Sequence, residues 1–125
     1  MSLSRLAAVA ALSVLASPAV AQPARPTVTV SVYSFGFSPK PIHLRAGQPV
    51  TLTLVNQSGN GHDFTAKDFF AASAISAGAA PGGKIALAGH QTVSITLTPR
   101  AGTYSVHCSH FLHSSMGMTD QIIVN

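Results

Sequence analysis

The chain has 125 residues, 46% of them apolar, and a formal net charge of +4 at neutral pH, length enough for one domain with one core. Only three carboxylate side chains are present, Asp63, Asp68 and Asp120, which argues against calcium, magnesium and two-carboxylate hydrolytic chemistry. Past the first few residues the basic side chains, Arg25, Lys40, Arg45, Lys67, Lys84 and Arg100, form no run or stripe, so a nucleic-acid surface is not expected.

Residues 1–5 are a short basic start, 6–16 an apolar run broken only by Ser13, and 17–22 (SPAVAQ) a small-residue cleavage signal best cut after Ala21. The pattern predicts a secretory signal peptide over 1–21, because an apolar stretch of eleven residues is too short to span a bilayer. The exported domain is then 22–125, and the style of the signal points to a periplasm.

Period-two alternation follows. Val28, Val30 and Val32 alternate with Thr and Ser, as do Val50, Leu52 and Leu54, and again Val93, Ile95 and Leu97. Each run predicts a strand with one inward and one wet face. Shorter strands are expected at 42–45, 62–66, 84–88, 102–107 and 121–124, separated by turn sequences such as SPKP (38–41), AGQP (46–49), SGNG (58–61) and PGG (81–83). Residues 67–79 (KDFFAASAISAGA) lose the alternation and predict a short helical excursion. Seven to eight strands with one excursion predict an all-β, Greek-key two-sheet sandwich, with a small closed barrel as the competing architecture.

The chemistry is concentrated near the end. HCSHFLHSSMGM (107–118) holds the only cysteine, three of the six histidines and two of the three methionines. A lone thiol in an exported protein has no internal disulfide partner, so packing, reactivity or metal binding must account for it. Thiolate, imidazole and thioether together suit a soft or borderline metal, and a single cysteine fits a structural zinc site poorly. One Cys, two His and a weak Met form the donor set of a copper electron-transfer centre. Cys108, His113 and Met118 follow one another at intervals of five in one loop between strands, and His62, after the SGNG turn, is the best distant second histidine. His110 competes with His113, and Met116 with Met118. His43, His90 and His107 read as structural or surface residues, although His107 and His110 beside the cysteine could take a second ion.

Three stretches resemble the small cupredoxins of the plastocyanin and azurin superfamily: FSPKPIHLRAGQPVTLTLVN (37–56), GHDFTA (61–66) and GTYSVHCSHFLHSSMGMTDQIIV (102–124). The resemblance implies that His62, Cys108, His113 and Met118 bind one copper per chain, with His113 as the electron port. It implies a monomeric, non-enzymatic shuttle that exchanges single electrons with partner proteins. A copper carrier that delivers the metal to acceptor proteins is the second reading. A thiol enzyme built on Cys108 ranks last, because no oxyanion-type motif accompanies the cysteine. Where many cupredoxins carry an asparagine after the first histidine, this chain has Asp63. Facing Ser109, Asp63 would brace the cysteine loop and lower the reduction potential.

Overall fold

The structure is a computed structural model that describes residues 7–19, 25–110 and 118–125. Residues 7–19 are exposed and carry no helix or strand. The predicted cleavage point at Ala21 lies outside the described residues, as do His113 and Met116.

Ten strands form two five-stranded sheets. The first contains β1 (Thr27–Tyr33), β2 (Gly36–Ser38), β4 (Val50–Asn56), β6 (Ala74–Ala77) and β8 (Thr92–Thr98), in the order β2-β1-β4-β8-β6. The second contains β3 (Ile42–Leu44), β5 (His62–Thr65), β7 (Lys84–Leu87), β9 (Gly102–His107) and β10 (Thr119–Val124), in the order β3-β10-β9-β5-β7. Two separate strand orders make a sandwich rather than a closed barrel. All eight strands expected from alternation and turn signals are present, and the short β2 and β6 raise the number to ten.

The alternation sets the register. Val30 pairs with Leu54 in the parallel β1–β4 ladder, and Leu52 with Ile95 in the antiparallel β4–β8 ladder, so one apolar row faces inward across three strands. A slip of one residue would turn that row to water. The second sheet answers with Phe64, Val106, Ile122 and Val124, all buried. Phe64 meets Phe37 edge-on at a centroid distance of 5.7 Å and Phe70 at 6.0 Å, joining the sheets through aromatic contacts.

The excursion after β5 divides in two. A helix, α1, covers only Lys67–Ala72, and β6 then pairs along the edge of β8. The helix stops because the Ser73 hydroxyl donates back to the Phe69 carbonyl at 2.7 Å while its own backbone is extended. Ile75, β-branched, then suits a strand better than a further helical turn. Its short length still buries Phe69 and Phe70, and Phe69 packs against Tyr104 at 5.6 Å. The helix therefore joins the core through these two rings, while β6 stays exposed.

One end of the sandwich collects the chemistry. β1 and β4 run parallel toward it, β4 turns there into His62 at the start of β5, and β9 ends there at His107. Thr119 pairs with His107, so the chain leaves after β9 and returns into β10 at the same level.

Candidate metal centre

His62 is placed by the turn before it. Asn56 occupies the next inward position of β4 after Leu54, where another apolar residue would be expected. Its side-chain amide donates to the carbonyls of Asn60 at 2.8 Å and Ala88 at 2.9 Å, while its carbonyl oxygen accepts from the Ser58 N–H at 3.0 Å. One buried side chain thus ties turn 57–61 to the turn after β7. The two turns approach so closely that a Cβ at Gly89 would collide with the Gly59 carbonyl. Asn56 received no role in the sequence reading, and its signal there is a polar residue closing an otherwise apolar row.

Cys108 follows β9, and its N–H donates to the Met118 carbonyl at 3.2 Å, closing the mouth of the ligand loop. Cys108 is 0% exposed, Met118 is also fully buried, and His62 is 3% exposed. The Cys108 sulfur lies 3.9 Å from His62 Nδ1. Metal–nitrogen and metal–sulfur bonds of about 2.0 and 2.3 Å can span that gap with one ion between them. Burial pushes the Cys108 thiol up, and the neighbouring Asp63 charge adds to this; hydrogen bonds from the backbone N–H groups of His110 and Asp63 pull it down. A bound cation is what would make the thiolate the stable form here.

Asp63 faces Ser109, and the contact is a fork. Oδ2 accepts from the Ser109 hydroxyl at 2.6 Å, and Oδ1 accepts from the Ser109 N–H at 2.9 Å and the Thr65 hydroxyl at 2.6 Å. Burial is the largest single influence on this carboxyl and acts to raise its pKa. The Ser109 and Thr65 hydroxyls, the Ser109 N–H and the Lys84 charge together outweigh it and hold the group below its ordinary value. Lys84 also donates to the Ser109 hydroxyl at 3.2 Å. Asp63 is therefore a charged clamp between β5 and the residue after the cysteine.

His110 is 45% exposed and sits over this clamp. Its Nε2 lies 3.6 Å from Asp63 Oδ2, and its ring stacks on His62 at 6.2 Å with the planes 28° apart. Donor atoms of Asp63, Cys108 and His110 all lie within 4.8 Å of one another. Of the four ligands expected from sequence, His62 and Cys108 are brought together, Met118 is buried beside the cysteine's backbone, and His113 lies outside the described residues. His43 and His90 are exposed and His107 half-buried. None of these three belongs to the Asp63 cluster.

The class of protein is set by a two-sheet β sandwich with thiol and imidazole donors buried at one end. The chain belongs to the cupredoxin-like domain family, whose profile matches residues 5–124. Among solved structures it is similar to the sodium-dithionite-reduced auracyanin of the photosynthetic bacterium Roseiflexus castenholzii, at 17% identity and a TM-score of 0.61, over 79% of this chain and 96% of that one. It is likewise similar to auracyanin B, at 23% identity and a TM-score of 0.59, over 85% and 93% of the two chains. At these identities the likeness concerns the fold. No curated protein sequence matches the chain.

Proposed function

We propose that this chain is an exported mononuclear copper protein that passes single electrons between docked partner proteins, with His62, Cys108, His113 and Met118 as its ligands. The observation that carries the reading is the 3.9 Å approach of Cys108 Sγ to His62 Nδ1 inside a buried end of the sandwich. The donor set fits the metal, since thiolate and imidazole on a scarcely hydrated site favour copper over the hard cations. Bound copper would supply a one-electron couple; the residues supply the rigidity that lets it work. Asn56 fixes the His62 turn, Asp63 fixes the Cys108 turn, and both hang on paired strands rather than on free loop. The kinship of fold to an auracyanin described in its dithionite-reduced form is in keeping with a redox role.

Titration with Cu(II), followed by visible absorption and electron paramagnetic resonance, tests this reading. An intense thiolate-to-copper band saturating at one copper per chain, absent in Cys108→Ser, is the expected result. A pale complex in the wild type would overturn it.

The second reading, a copper carrier, draws on His110: an exposed imidazole beside a buried thiol suits metal exchange. A reversible potential with fast self-exchange favours the shuttle, and ready copper transfer to an apo-acceptor favours the carrier. The thiol-enzyme reading is opposed by a buried Cys108 whose thiol is pushed up rather than activated. Export by a signal peptide over 1–21 remains part of the proposal. A mature amino terminus at Gln22 in the periplasmic fraction, read by mass spectrometry, is the expected outcome. Among the described residues no helix is long and apolar enough to cross a membrane.

A further inference from the structure

The proposed ligands His62 and Cys108 are sealed from water, which raises the question of how an ion reaches them. An aqua ion must shed its water shell before it can bind a 0% exposed sulfur, and doing so in one step is slow. A partly exposed ligand next to the site removes that obstacle, because the ion can exchange waters for protein donors one at a time.

His110 stands in that place. Its side chain is 45% exposed, its Nε2 is 3.6 Å from Asp63 Oδ2, and its ring centre is 6.2 Å from that of His62 with the planes 28° apart. Of the described contacts at ordinary hydrogen-bond distance, Oδ1 of Asp63 takes two and Oδ2 one, leaving Oδ2 the freer oxygen on the His110 side. Nitrogen, carboxylate oxygen and Cys108 sulfur lie within 4.8 Å of one another, so an ion held by the first two is already within a bond length or two of the third. We propose that His110 and Asp63 form a capture site for copper, distinct from the resident ligand set, from which the ion passes inward to Cys108 and His62. The proposal rests on the copper reading above.

The transfer is a ligand substitution with no change of oxidation state. The metal–sulfur bond to Cys108 would form as the metal–nitrogen bond to His110 breaks, the metal–nitrogen bond to His62 would replace the metal–oxygen bond to Asp63, and the thiol proton would leave to water. Once the ion is on His110, Cys108 meets it intramolecularly, at an effective concentration far above that of free metal. A ligand that acts only along the path speeds entry and exit alike and leaves the equilibrium untouched.

That symmetry gives the test. Apo-protein is mixed rapidly with Cu(II) as the aqua ion in a non-coordinating buffer, and the thiolate band is followed in wild type, His110→Ala and His110→Gln. The expected result is an association rate lowered by about tenfold or more in both variants, in line with loss of the intramolecular step. Release of copper to EDTA slows by the same factor, and the final band and affinity are unchanged. The glutamine variant, which keeps bulk and polarity without the imidazole, guards against a general disturbance of the loop. Unchanged rates in both variants overturn the capture site. Loss of the band in both also overturns it, because His110 would then be a resident ligand. A wild type that forms no thiolate band takes down the copper reading itself, and this proposal with it.

Discussion

Two buried carboxylates in the second sheet, Asp63 on β5 and Asp120 on β10, have opposite surroundings. From the described residues Asp63 receives three hydrogen bonds and a nearby lysine charge, and its carboxyl is held below the ordinary value. Among the described residues Asp120 receives one, from its own neighbour Gln121 at 2.7 Å, and its buried Oδ2 has no hydrogen-bond partner there. Burial raises its pKa, and the Gln121 N–H and the Lys40 charge offset this only in part. Burial works to raise the pKa at both positions, and the supply of donors decides whether a negative charge is held or strained. Only the well-supplied carboxylate stands at the cysteine loop.

The largest effect should come from removing the clamp. Asp63→Ala leaves the Ser109 N–H and two hydroxyls without their acceptor, and should cost about 3 kcal/mol in urea unfolding of the apo-protein. Copper affinity should fall with it. Asp63→Asn keeps an acceptor but removes the charge beside the thiolate. A unit charge about 5 Å away at an effective dielectric near 20 corresponds to a rise on the order of 100 mV in the reduction potential. Voltammetry of the variant checks this, and an unchanged or lower potential would count against a charged clamp. Thr65→Val removes one donor of the three and should cost about 1 kcal/mol.

Smaller still is Asp120→Asn, which should raise stability at neutral pH, because it deletes a poorly solvated charge. The two groups also tilt the pH profile of the apo-protein in opposite senses. Asp63, lowered in the fold, binds fewer protons than in the unfolded chain, so its contribution is present above the usual value of 3.8 and is lost as pH falls through its folded pKa. Asp120, raised in the fold, binds more protons, so stability declines as pH rises from 3.8 through its folded pKa. Denaturation curves from pH 3 to 7 on Asp63→Asn and Asp120→Asn separate the two slopes, and equal slopes would remove the distinction.

What was legible in the sequence follows from how local each signal is. Strands β1, β4 and β8 announce themselves because Val, Leu and Ile alternate with Thr and Ser over seven residues. The Asp63–Ser109 contact was legible through the resemblance, although nothing in the spacing of residues 63 and 109 implies it. Asn56 was missed because its carbonyl and amide partners come together only when two turns fold against each other. β6 was missed because an alanine-rich segment carries no alternation, and its pairing depends on a free edge of β8. His110 was read as a rival to His113. Its place over Asp63 and His62 depends on the backbone after Cys108, which spacing alone does not specify.

The central claim is that His62 and Cys108 hold one copper ion between them. X-ray absorption at the copper edge of the loaded protein tests it most directly. The account predicts one short sulfur bond with imidazole nitrogens in the same shell, and loss of one nitrogen in His62→Ala. A copper shell of nitrogen and oxygen alone, unaltered by that substitution, would contradict it.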